Sequence, residues 1–276
     1  MKKILFGGLC CIICSTALAQ VKMPAPSPTQ TIKQDFGMGS IELKYSRPSA
    51  KGRTVYGDLV PFKKLWRTGA NAATVIRFSD PVEIGGKKID SGSYALYSMP
   101  GFESWEIILN KGITNSGTSG YKETDDVVRF RIEPTKIKSN IETFTMQFAD
   151  IKPESCELHI MWEKTAVIIP IKVDIKEKVK AQLDAAMLTD KKPYWQAAQF
   201  YHEYDKNPAK ALDNVTKALE ENPKAFWMWL YKARIQQEAG DNAGAMISSK
   251  KSLELATQEK NDDYIKMNVE LQKKLK

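Results

Sequence analysis

The sequence predicts two regions of different fold class. Residues 30–173 read as a mainly β domain, an antiparallel β-sandwich, and residues 174–276 as an all-α region. Two observations predict this division. Apolar residues alternate with period two, in short runs separated by turn signals, as far as residue 173. Beyond Asp174 the period lengthens to that of amphipathic helices. The length, 276 residues, suits about two domains.

Residues 1–19 carry the three parts of a secretory signal peptide: Lys2 and Lys3, an apolar run from Ile4 to Ile13, and the small-x-small Ala17-Leu18-Ala19 before Gln20. The run is too short and wrongly flanked for a spanning helix. Cys14 follows Ile12-Ile13 and Cys10 follows Leu9, where a lipid-modified cysteine wants small residues, so no lipid anchor is expected. The expectation is an exported protein, periplasmic or secreted, cleaved near Ala19/Gln20. A Pro-rich linker, residues 20–29, follows. Cys156 is the one cysteine beyond the leader, so no intramolecular disulfide is expected, and a chain this long buries a sufficient core without one. No other apolar run is long enough to cross a membrane.

The strands follow in order. Ile41, Leu43 and Tyr45 share one face, with Glu42 and Lys44 opposite. Trp105, Ile107 and Leu109 share a face, as do Val128, Phe130 and Ile132. So do Phe144, Met146 and Phe148, then Cys156, Leu158, Ile160 and Trp162, then Val167, Ile169, Ile171 and Val173. Turn signals separate these runs: Gly85-Gly86, Ser91-Gly92, Pro100-Gly101, Lys111-Gly112 and Pro153. Pro170 inside a strand marks an edge or a bulge. Nine or ten such strands with one-sided burial imply two packed sheets. Residues 113–124, ITNSGTSGYKET, read as a long mobile loop.

Residues 45–74, YSRPSAKGRTVYGDLVPFKKLWRTGANAAT, fit neither period. The precursor's net charge is +8, and much of it gathers here. Residues 44–67 hold Lys44, Arg47, Lys51, Arg53, Lys63, Lys64 and Arg67 against Asp58 alone. Two readings compete. In one, Tyr45, Arg47, Arg53, Trp66, Arg67 and Asn71 line a cleft for an anionic or carbohydrate ligand, with guanidinium forks for the anion and ring faces for a sugar. In the other, the arginines pin a long loop to the scaffold through backbone carbonyls and acids, and Trp66 is a buried plug.

In the helical half, Trp195, Ala211, Ala218, Leu219 and Pro223 are followed 34 positions later by Trp229, Ala245, Ser252, Leu253 and Thr257. Three of the five residues recur. Paired helices of that period, with small residues where they cross, resemble the tetratricopeptide repeat. Residues 261–275 supply a polar terminal helix. Phe226, Trp227 and Trp229 crowd one helix, more apolar surface than two small units need, and mark a candidate protein-partner surface.

Several segments occur in a distinctive order: Tyr45 to Pro48, Lys51 to Arg53, Leu59 to Pro61, Trp66 to Asn71, and Gly92 to Gly101. In this, residues 27–173 resemble the bacterial domain-of-unknown-function family numbered 2911. Ala72 stands where that family usually has a glutamate. The resemblance implies an exported bacterial protein, often with a helical repeat tail, and no established activity.

Catalytic and metal chemistry find little in the residues. His159 has no second histidine in its domain, and one imidazole beside Glu157 is short of a metal site's three or four ligands. His202 reads as helix surface, and Cys156 as a buried apolar residue. No Gly-x-Ser-x-Gly elbow and no phosphate-binding glycine loop occurs. Asp125 and Asp126 read as solvated turn acids. No cofactor, no metal and no nucleic-acid partner is expected. The expected function is a non-enzymatic binding or assembly module; the alternative is a glycan-directed hydrolase with carboxylates placed by the fold.

Overall fold

A computed structural model describes residues 23–276. Residues 1–22, on which the expected signal peptide, its cleavage site and the start of the expected Pro-rich linker fall, lie outside the described residues. Ten strands come first: β1 (Thr29–Phe36), β2 (Gly39–Ser46), β3 (Thr74–Phe78), β4 (Val82–Ile84), β5 (Lys87–Ile89), β6 (Gly92–Met99), β7 (Trp105–Asn110), β8 (Asp126–Ile132), β9 (Thr135–Ala149) and β10 (Ser155–Lys172). Six helices follow: α1 (Lys176–Ala186), α2 (Tyr194–Glu203), α3 (Pro208–Glu221), α4 (Phe226–Glu238), α5 (Asn242–Gln258) and α6 (Asp262–Lys274).

The strands form two antiparallel sheets, one ordered β1-β2-β3-β6-β7-β8 and the other β5-β4-β10-β9. Their inward faces meet in one core. Ile41, Leu43, Ile76, Ile107 and Leu109 from the larger sheet join Phe144, Met146, Leu158, Ile160 and Ile169 from the smaller. Apart from Ile76, on a strand the alternation did not single out, these are the faces that the alternation assigned inward. Between β4 and β5 the chain turns at Gly85-Gly86, with φ 58° and 73°. A Cβ at Gly85 would collide with the Phe130 ring, so glycine is required there for space as well as for backbone shape. Pro170 lies past the last β9 partner of β10, Ala166, and close to its β4 partners at Ile171 and Lys172. The strand is locally an edge there, so no ladder donor is missed.

The outer face of the larger sheet departs from the simple alternation. Ala95, Tyr97 and Ile108 point away from the core yet are buried, joined by Ala73 and by Leu65, Met99 and Tyr121. Residues 111–122 are not a free loop. The Tyr97 hydroxyl donates to Gly117 O (3.2 Å) and accepts from Asn115 Nδ2 (3.1 Å), and a 3-10 turn at Glu123–Asp125 leads into β8. The polar composition that suggested mobility instead supplies the groups that pin the loop down.

The helices start on side-chain caps where the sequence offers them. Asn207, Asp241 and Asn261 accept from the N–H groups of Lys210, Gly244 and Tyr264. Ala197, Ala211, Ala233 and Ala245 are fully buried, so paired helices approach closely. The helical region docks on the sandwich: Ile175 belongs to its core, and Val179 and Tyr204 pack against it. Ion pairs Lys178–Asp80 (2.7 Å) and Lys176–Asp205 (3.1 Å) flank that contact.

Candidate functional site: a cationic, aromatic rim

The irregular stretch after β2 begins as a strap along β9, the edge of the smaller sheet. Ser49 bridges Thr143, Ala50 N donates to Glu142 O (2.9 Å), and Phe144 N donates to Pro48 O (2.8 Å). Arg47 Nε donates to Phe144 O (3.1 Å) and its Nη2 to Thr145 Oγ1 (2.8 Å). The buried Tyr45 hydroxyl accepts the Met146 N–H (2.8 Å) and donates to Gln30 Oε1 (2.8 Å). Burial raises its pKa, so it stays a neutral phenol. The strap therefore satisfies edge groups of β9 that would otherwise be open to further pairing.

The chain next enters the core. Trp66 exchanges backbone hydrogen bonds with Ser98 of β6 (2.8 and 2.9 Å). Its ring stacks on Trp162 at 6.1 Å and meets Phe144, Trp105 and Tyr56 edge-on at 5.2, 6.2 and 6.4 Å. Thr68, a β-branched residue, is held at φ 51° by buried bonds to Ser98 Oγ (2.9 Å) and from Thr74 Oγ1 (2.7 Å). A backbone this unfavourable persists only where its surroundings over-determine it.

Of the six residues expected to line one cleft, two are core. Tyr45 and Trp66 present no ring to solvent, because their faces are taken by Phe144 and Trp162 from the facing sheet. The other four are tied locally. Arg53 is exposed and caps its own turn, donating to Ala50 O and Ser49 O (both 2.9 Å). Arg67 donates to Asn71 O (2.9 Å) and lies against Gly117. Asn71 Nδ2 reaches Ser27 O (3.2 Å) and Ser46 Oγ (3.3 Å). The arginines thus anchor through carbonyls, with no acid among their partners, and Arg53 does so while exposed. Arg53→Ala is expected to lower the urea unfolding free energy by no more than about 1 kcal/mol, the worth of two exposed bonds. A loss above about 3 kcal/mol in a denaturation curve would contradict this placement.

The ammonium groups tell a different story. Among the described residues, none of the seven cations of 44–67 has a carboxylate within 4.0 Å; Lys33, Arg77, Lys87 and Lys88 lack one as well, so what sets this segment apart is the density of its cations, seven against Asp58 alone. Near Lys63 and Lys64 the loop exposes apolar side chains. Leu59 is 38% exposed and Phe102, from the β6–β7 hairpin, 79%. The Phe62 and Phe102 rings lie 3.9 Å apart. Lys63 N donates to Pro100 O (2.8 Å), which joins loop and hairpin into one rim. A cleft of about 660 Å3 opens beside it, lined by Lys63, Met99, Phe102, Glu103, Glu106 and Arg131.

Behind the cleft lies a network that sequence reasoning missed. Asp126, expected as a solvated turn acid, has a side chain only 10% exposed. It accepts from Arg129 Nη2 (2.9 Å), Asn110 Nδ2 (2.8 Å) and the Tyr121 hydroxyl (2.9 Å). Arg129 also donates to Glu106 (2.9 Å), which accepts from Arg131 (3.1 Å). The hydrogen bond from Arg129 holds the Glu106 carboxyl below its usual range. Burial, and then Asp126, hold the Tyr121 phenol protonated. The only sequence signal was the alternation that turns Arg129 and Arg131 away from Val128, Phe130 and Ile132; the pairing of β7 with β8 brings Glu106 to them.

The remaining candidates are structural or peripheral. Phe226 packs edge-on against Tyr264 (4.8 Å), and Trp229 Nε1 donates to Pro223 O (2.9 Å), so both serve the array internally. Trp227 is the most exposed of the three. His159 pairs with Glu157 (2.7 Å); His202 joins Glu238 (2.7 Å) and the Tyr231 hydroxyl (3.1 Å). Burial pushes the Cys156 thiol up to about 12, which keeps it unreactive. Among the described residues no group of three or more His, Cys, Asp or Glu gathers for a metal, and no helix is long and apolar enough to cross a membrane.

No match was found among curated proteins. Residues 27–171, which cover the strap, the aromatic core, the rim and the Asp126 network, match a family described as "Protein of unknown function (DUF2911)". Over more than half its length, then, this chain is a DUF2911 protein, and it belongs to that family.

Proposed function

We propose that the protein is an exported, non-enzymatic binding module: an anionic ligand meets the cationic rim of the sandwich, and a protein partner meets the helical region. One observation carries the reading. Lys63 and Lys64 are exposed and stand without a carboxylate partner among the described residues, next to the Phe62–Phe102 pair and an open cleft that Lys63 lines. Neighbouring like charges repel one another, and an anionic ligand relieves that repulsion while gaining from both. The cleft does not favour the glycan-hydrolase alternative. Glycoside hydrolysis needs one carboxyl kept protonated near neutral pH, and Glu106 is pushed the other way by Arg129.

For the helical region, the reading is a short tetratricopeptide-like array. It is supported by the 34-residue spacing of Ala211 and Ala245, both fully buried, and by the terminal helix α6. Trp227 offers the exposed contact. Export rests on residues 1–19; mass spectrometry of the protein from its native host is expected to find a chain beginning near Gln20 outside the cytoplasm, and a cytoplasmic chain retaining Met1 refutes it.

The rim is tested with dextran sulfate, a soluble polyanion. Binding by calorimetry is expected to weaken steeply between about 50 and 200 mM salt. Lys63→Glu with Lys64→Glu is expected to lower affinity at least about tenfold without shifting Tm, since both side chains are exposed. Absence of salt-sensitive binding, or indifference to the double substitution, refutes the reading.

A further inference from the structure

We infer that the rim docks on an anionic lipid bilayer. The inference rests on the anion-binding reading above and names the occupant.

The groups suited to grasping a small anion are already engaged. Arg47 donates to Phe144 O of β9, and Arg53 and Arg67 to carbonyls of the strap and loop, so their forks do not converge on a free site. Lys44, Lys51, Lys63 and Lys64 remain toward solvent, and of these Lys63 and Lys64, compact charges on flexible stems, lie next to Leu59, Phe62 and Phe102, with two acids in the same cleft, Glu103 and the arginine-paired Glu106. Such a surface lacks the directional donors that select one small molecule. It matches a plane of phosphates with hydrocarbon beneath it. The ammonium groups lie against the headgroups, while an aromatic side chain left 79% in water enters the interface. An anionic polysaccharide explains the lysines and leaves the Phe102 exposure without a use. The tip is also held in place for insertion. Phe102 stacks on Phe62, Phe62 covers Gly57, and Lys63 N binds Pro100 O. Little order has to be created on docking.

Vesicle co-sedimentation of the chain from residue 20 tests this. Vesicles of phosphatidylcholine with about 30% phosphatidylglycerol are expected to retain the protein, and pure phosphatidylcholine to retain it far more weakly. Lys63→Gln with Lys64→Gln is expected to lower partitioning about thirtyfold, at ~1 kcal/mol per basic residue near an anionic surface. Phe102→Ser is expected to weaken vesicle binding far more than dextran sulfate binding, with little change in Tm because the side chain is exposed. Three results overturn the inference alone: dextran sulfate binding without vesicle binding, as for a tip that engages only a polyanion or a protein; equal retention on both vesicle types; or vesicle binding indifferent to Phe102→Ser. Failure of both dextran sulfate and vesicle binding overturns the anion-binding reading as well.

Discussion

Trp66→Ala is expected to destabilise the β-domain by about 3–5 kcal/mol, the range for removing a large aromatic side chain from a packed core. The ring lies among Trp162, Phe144, Trp105 and Tyr56, contributed by both sheets and by the loop itself. None of these can collapse into the space without leaving its own strand or partner. Gly69 O also loses the Nε1 donor it accepts at 3.0 Å. That loss adds to the cavity, because a buried acceptor left unpaired is costly. Gly69 cannot adjust freely: its φ is 151° and a Cβ there would sit 3.0 Å from Ser46 O. Trp66→Phe keeps much of the volume and should cost clearly less. Urea denaturation followed by circular dichroism reads both, and a loss under about 1 kcal/mol for the alanine variant would remove Trp66 from the centre of the core.

Asp126→Ala is expected to cost about 2–3 kcal/mol, below the 3–5 of a fully buried pair because Arg129 keeps partial access to water. The carboxylate accepts from three donors at once: Arg129, Asn110 and the Tyr121 hydroxyl. Its removal leaves the Tyr121 hydroxyl without its acceptor, while Asn110 keeps Lys122 O and Arg129 keeps Glu106 and Glu123. The effect has a location as well as a size. Tyr121 ends the 111–122 segment and packs beside Tyr97, with ring centroids 5.2 Å apart. Releasing its hydroxyl should loosen that segment from the outer face of the larger sheet. Limited proteolysis is expected to show new cleavage within residues 111–124 of the variant, with Asp126→Asn intermediate. Unchanged stability together with an unchanged digest would show that the network does not hold the loop.

The sheets were legible because burial along a strand is a one-dimensional signal. Ile41, Leu43, Phe144, Met146, Leu158 and Ile160 alternate in the chain as they alternate in the core, so their faces followed without knowledge of any partner. The change of period after Asp174 and the caps at Asn207, Asp241 and Asn261 are equally local. Residues 45–74 carry no period, and there composition was ambiguous. A tyrosine, a tryptophan and three arginines suit a sugar cleft as well as a buried anchor. Tertiary structure decided for Tyr45 and Arg47, because their partners are distant in the chain: Tyr45 meets Met146, 101 positions away, and Arg47 meets Phe144, 97 away, whereas Arg53 and Arg67 donate to carbonyls three or four residues away. Asp126 is a turn acid by its neighbours and a buried one by strand pairing, which carries Asn110 of β7 to it. The chain alone showed where the charge was concentrated. Folding consumed the arginines as carbonyl donors and left Lys63, Lys64 and Phe102 in water, because the carbonyls to be satisfied lie along the β9 edge and within the strap, and the rim lies beyond both.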